Sequence, residues 1–324
     1  MTPTVRSRLL AAGVAFLAGF GLANYAIFRV PPPDQWLWVG FAAVLIATSA
    51  WAVVISDSPR PVSVWAVIGL EFFTLLTLVP LLWVVTLAVT PGDAVPTALV
   101  PEGWDLSAFS DLRQSADLRG AALTSVLAAA LATAVAIPVG LAAAVGLFRS
   151  GSRAARWSRV AVAGLLMAPL VVLAVAAEDL AVRAELVDRV WVVGVAQSVI
   201  TVPLATWMFV RLLRSSPWNL VEAARADGAR RRTVLLRVWL PSAGPSVLVV
   251  ALTVFVVAAQ DLVLGAALTA SPGSATLPSA LLSLPVAPES VSLAAAAGLV
   301  WLVPTALALV VLSRPLTRLL GRSS

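Results

Sequence analysis

Eight long apolar runs, separated by short polar connections, organise this chain: 9–28, 36–55, 62–89, 121–148, 160–177, 190–210, 242–270 and 291–312. Each is close to or longer than the ~20 residues that a helix needs to cross a bilayer. The pattern predicts an all-α fold, a polytopic membrane helical bundle of about eight transmembrane helices. Arg6 and Arg8 precede the first run, which is long for the apolar core of a signal peptide and lacks a small-residue cleavage site near its end, so it reads as a retained span. The longest polar stretch, 90–119, carries Asp93, Glu102, Asp105, Asp111 and Asp117 against only Arg113 and Arg119, and is expected to face the outside.

Charge orients the spans. All 22 basic residues are arginines. With alternating crossings, 17 of them (Arg6, Arg8, Arg60, those of 149–159 and 211–237, and the C-terminal three) fall on one side and five on the other. Basic residues are retained on the cytosolic side, so both termini and the connection between the sixth and seventh runs are expected in the cytosol. A net charge of +6 therefore reflects topology, not a nucleic-acid surface. Tryptophans such as Trp36, Trp38, Trp65, Trp157 and Trp191 fall at span ends, where amphipathic rings anchor at the interface.

Composition narrows the chemistry. The 324 residues are 60% hydrophobic and 12% charged, with a mean hydropathy of +0.97. There is no cysteine and no histidine, which excludes disulfides, thiolate metal sites, histidine-based triads and histidine-ligated zinc. Without lysine, a phosphate loop of the G-x-x-x-x-G-K type cannot exist here, so any ATP must be hydrolysed by another polypeptide.

The connection at 215–241 is the most informative polar stretch. Pro217 sets the chain's entry, Asn219 and Glu222 are spaced for a capping box, and Val221, Ala223, Ala224 and Ala226 favour a helix of two to three turns. Gly228 is the residue able to take the left-handed conformation that closes such a helix. Small alanines allow a second surface to approach, Glu222 offers a carboxylate to a cationic partner, and Arg230, Arg231 and Arg232 follow. The plain alternative is a loop helix that merely connects two spans.

Glu222-Ala223-Ala224, three residues, Gly228, and then Leu240-Pro241 resembles the "EAA" loop of the membrane subunits of bacterial ATP-binding-cassette importers. Pro217 and Asp227 make it most similar to the carbohydrate permeases of the maltose and trehalose type. The resemblance covers 62–324, the six-span core of that family, leaving 1–61 as two extra N-terminal spans. It implies a permease subunit of a binding-protein-dependent importer in the bacterial plasma membrane, without enzymatic chemistry or a cofactor of its own, ATP and magnesium being held by a partner. The implied partners are a second permease subunit, a cytosolic ATPase dimer and an extracytoplasmic solute-binding protein. Glu222, Ala223, Ala224, Asp227 and Gly228 would couple to the ATPase.

Two carboxylates fall inside spans, Glu71 and Asp261, and each should face protein or water because a charge in hydrocarbon costs at least ~2.5 kcal/mol. The segment 255–262, with Gln260 and Asp261, resembles the family's F-x-x-A-W-N-D/E-L pattern. Ala259 stands where tryptophan is common, which removes an aromatic surface for a sugar ring. Gln260, Asp261 and Glu71 are thus candidates for the substrate path, with interhelical hydrogen bonding as the alternative. Gln197, Ser198, Thr201 and Pro203 read as ordinary helix packing. An importer of a polyamine, metal chelate or glycerol phosphate stays open. So does a secondary transporter, although the paired broken helices of that class are not evident in the pattern.

Overall fold

The computed structural model describes residues 64–91, 101, 103–149, 153–215, 224–230, 233–285 and 287–320, together with positions 19, 22, 25, 38–43, 47 and 96. The expected spans 9–28 and 36–55 lie almost wholly outside these residues. Among the described residues the chain is helical and contains no strand. Its contacts divide it into two compact units, 1–112 with 285–300, and 113–284 with 301–324.

In the first unit, α1 (Val64–Val89) keeps Pro80 inside a helix of 26 residues, about 39 Å at 1.5 Å per residue. Its end is closed by the Thr90 hydroxyl, which donates to the Thr86 carbonyl at 2.7 Å, and by the Asp105 amide, which donates to the Val89 carbonyl at 2.7 Å. Asp105 then starts the amphipathic helix α2 (Ser107–Gln114), its carboxylate accepting from the Ser107 amide and hydroxyl, both at 2.8 Å. These donors hold the Asp105 carboxyl below its ordinary value. Ala88, Ala108, Ala295 and Ala296 form the buried contact of this unit. The last two belong to the long C-terminal helix (Pro288–Leu320), which passes from this unit into the other.

The second unit is built on the pairing of α3 (Ala116–Arg149) with α6 (Val190–Ser215). Small residues make it possible. Ala128, Ala129, Ala132, Ala136 and Ala144 are fully buried on α3, and Gly140 and Gly194 sit where the two backbones almost touch. A Cβ on Gly194 would stand 2.7 Å from the Ala128 carbonyl oxygen, and one on Gly140 would stand 2.7 Å from the Ala205 Cβ. Large side chains such as Leu123, Leu127, Val195 and Val199 point outward instead, as they do on a bundle solvated by lipid.

Among the described residues three helices are long and apolar enough to cross a membrane, and each of two sharply bent pairs makes a further candidate. The bends differ from the uninterrupted runs expected from the sequence. Within 160–177 the helix breaks between α4 (Arg153–Leu166) and α5 (Leu170–Arg183), which meet at 86°. Pro169 is the cause: it has no amide to donate and restrains Ala168. At the start of 242–270, a π-helical segment (Val234–Trp239) and the short α7 (Leu240–Ser242) meet α8 (Gly244–Ala259) at 70°, and within that run α8 stops before α9 (Val263–Leu268). The helices α10 (Leu277–Leu282) and α11 (Pro288–Leu320) follow. Broken helices are therefore present, although the hydropathy pattern did not announce them.

Candidate functional site

At the C-terminal end of α6 the described part of the connecting loop begins at Ala224; Glu222 and Ala223 lie outside the described residues. Ala224–Ala226 are helical and the turn closes at Gly228, whose φ is +78°. The Gly228 amide donates to the Arg225 carbonyl and the Ala229 amide to the Ala224 carbonyl, both at 3.0 Å, a Schellman closure with glycine at its left-handed position. Gly228 thus takes the conformation expected of it. Nothing would lie within 4 Å of an added Cβ, so glycine is required there by backbone geometry and not by space. Arg225, Asp227 and Arg230 are exposed, while Ala224 and Ala229 pack on the core. The loop's second leg is anchored more deeply. Val234 and Trp239, 5% and 3% exposed, are buried with Phe209, Leu212 and Leu213 of α6, Ala144 of α3 and Val250 of α8.

A polar break lies between α8 and α9. The Asp261 carboxylate accepts from the Leu264 amide at 3.4 Å, which starts α9. Gln197 reaches across from α6, donating through Nε2 to the Ala258 carbonyl at 3.0 Å and to Asp261 at 3.3 Å. It caps the end of α8 and steadies the carboxylate at once. Its Oε1 is buried without a hydrogen-bond partner among the described residues. The structure therefore brings Gln197, which reads from sequence as simple packing, into contact with Asp261. Gln260 turns the other way, is exposed, and donates to the Thr305 hydroxyl at 3.2 Å. Ala259 packs with Ala129, Ala132 and Ala258, and Phe255 and Trp301 lie against that cluster. Trp301 and Thr305 carried no signal in the sequence, because only the packing of α11 brings them beside α8. Glu71 lies on α1, and its side chain is outside what is described.

At the opposite end of α6, Asp188 precedes the helix with φ +67°. One carboxylate oxygen accepts from the amides of Ala270 (2.6 Å) and Ser271 (3.0 Å) and from the Ser274 hydroxyl. These donors, Ser274 foremost, hold the Asp188 carboxyl down at about 2. The contribution to stability is complete above an unfolded value near 3.8 and is lost as pH falls from there through about 2. Melting of the detergent-purified chain should therefore fall less steeply below pH 4 in Asp188→Asn than in the natural protein; equal acid slopes would refute this.

Backbones paired through small residues, with large apolar side chains turned outward, are what helices packed in lipid require. The chain belongs to the family of binding-protein-dependent transport system inner membrane components, whose match covers residues 136–318, more than half of its length. It is 37% identical over 79 residues to the trehalose transport system permease protein SugB of Mycobacterium tuberculosis, a stretch that is 24% of this chain and 29% of that protein. Over 96 residues, 30% of this chain and 42% of the relative, it is 34% identical to the candidate ABC transporter permease protein ORF1 of Streptomyces antibioticus. The matched stretches thus span less than half the length of these relatives. A crystal structure of a bacterial ABC transporter involved in import of the acidic polysaccharide alginate shares the fold, with a TM-score of 0.52 at 18% identity over 76% of this chain and 93% of that one. The chain thus belongs to this family of membrane components and has an ABC permease fold, and that membership, not an absence of broken helices, sets aside the secondary transporter.

Proposed function

We propose that the chain is one of two membrane subunits of an ATP-driven sugar importer, taking a di- or oligosaccharide from an extracytoplasmic binding protein. The loop 216–241 couples it to a cytosolic ATPase pair that binds the ATP and magnesium. In this reading both termini lie in the cytosol, 62–324 is the translocating core, and the spans within 1–61 are additions to it. The single observation that carries the coupling role is the anchoring of the loop. A turn with exposed Arg225, Asp227 and Gly228 precedes Val234 and Trp239, buried among α3, α6 and α8, and the Val234 amide donates to the Arg230 carbonyl at 3.0 Å, so a displacement of the turn would be carried to those helices. Glu222 and Ala223 would complete the surface that the ATPase grips.

The sugar reading is supported by the stretch shared with a trehalose permease. It is supported also by Gln260 and Thr305, which pair at the side of α8 and α11, with the half-buried Trp301 four residues before Thr305. That ring offers an aromatic surface near the one missing at Ala259. Asp261 and Glu71 remain the carboxylates assigned to the path. The chain itself makes no covalent bond; bound nucleotide and solute shift its states only through their different affinities for each.

Reconstitution with the partner subunits, followed by uptake of radiolabelled trehalose, tests this. ATP-dependent uptake is expected, reduced about tenfold or more in Gln260→Ala, a loss typical of removing a polar group that pairs with a substrate hydroxyl. Transport of a polyamine, metal chelate or glycerol phosphate with no sugar uptake would overturn the substrate class and leave the importer standing.

A further inference from the structure

We propose that Asp188 is a positioning residue for α9, the short helix that follows the Gln260–Asp261 break. The carboxylate is held by three donors from 270–274, a segment more than 80 residues away in sequence. The backbone joins in, since the Asp188 amide donates to the Leu268 carbonyl at 3.0 Å, the last residue of α9. Leu268 is 1% exposed and packs with Ala128 of α3, Ala181 of α5 and Val193 of α6.

The clasp is thus continuous with the core. On its far side the Leu277 amide donates to the Ser125 hydroxyl of α3 at 2.8 Å, and the Thr276 side chain presses on Gly265 in the middle of α9. The opposite end of α9 is held at Asp261, by Gln197. Six residues are too few to be a stable helix alone, so α9 exists because it is fastened at both ends. Two non-glycine residues with positive φ, Glu185 (+58°) and Asp188 (+67°), lie within this loop; such conformations persist only where surrounding contacts impose them. Loosening Asp188 should release α9 and, through it, the alignment of Asp261 with Gln197.

Hydrogen exchange on the full chain purified in detergent reads this directly, and only the transport arm rests on the importer reading. In Asp188→Ala, amides of 263–268 and 269–274 should exchange about tenfold faster, with 130–149 unchanged. Faster exchange confined to 269–274 would overturn the proposal, since the carboxylate would then order only its own loop. Should exchange rise everywhere, a second variant decides. The natural chain has no cysteine, so Asp188→Cys with Ser274→Cys can be joined by a short bis-methanethiosulfonate. Protection of 263–268 should return on cross-linking, and its failure to return overturns the proposal. Trehalose uptake should fall and recover with that protection. Uptake that stays normal while 263–268 is unprotected refutes the positioning role, whereas absence of trehalose uptake in the natural complex refutes the sugar reading and leaves the exchange result to stand.

Discussion

Gly194→Leu is expected to destabilise the bundle by about 3 kcal/mol or more and to leave little folded protein in the membrane. The Cβ alone would meet the Ala128 carbonyl oxygen at 2.7 Å and the Leu131 Cβ at 3.0 Å. A carbonyl oxygen of a long helix cannot swing aside as a side-chain tip can. The remaining atoms of leucine would therefore have to push α3 and α6 apart along a seam of buried alanines that make their contacts only at close range. Gly146→Leu is the control: it lies on α3 where an added Cβ has nothing within 4 Å. Thermal melting in detergent should separate the two variants clearly. A Gly194→Leu protein that melts with the natural one would show that the pairing of α3 with α6 tolerates a wider separation.

Gly228 has the second large effect, and here the loss is of transport, with folding preserved. At φ +78° a non-glycine residue costs about 1–2 kcal/mol, less for asparagine, while proline, fixed near −65°, cannot enter at all. Space around Gly228 is open, so the ranking is decided by backbone conformation alone. Gly228→Asn should keep most ATP-driven uptake, Gly228→Val should reduce it strongly, and Gly228→Pro should abolish it, with all three inserted in the membrane to the same extent. Glu222→Lys is expected to uncouple in the same way, by turning attraction to a cationic partner into repulsion. Uptake that ignores this order, measured beside ATP hydrolysis in the same proteoliposomes, would refute coupling through the turn.

These effects separate what was legible in the residues from what was not. The apolar runs marked helices because a segment in lipid must satisfy its own amides, so length and hydropathy nearly suffice. The glycine closing the loop was equally legible, since few residues other than glycine adopt a left-handed backbone without strain. By contrast, Gln197 read as packing and Trp301 and Thr305 not at all, because their roles depend on neighbours brought from 45 or more residues away. The breaks at Pro169 and at Gln260–Asp261 also escaped the hydropathy pattern, which averages over the two or three residues where a helix stops.

The sequence by itself determined that this chain is a helical membrane protein without cysteine, histidine or lysine, and that a glycine able to close a turn lies between its sixth and seventh apolar runs. Those properties follow from local quantities: hydropathy, missing residue types and the conformational freedom of one residue. Only the tertiary structure decided that Val234 and Trp239 root the turn in the core, that Gln197 meets Asp261, and that Asp188 holds the far end of α9. Contacts of that kind arise when distant helices pack, and nothing in the spacing of residues along one chain encodes which of them will meet.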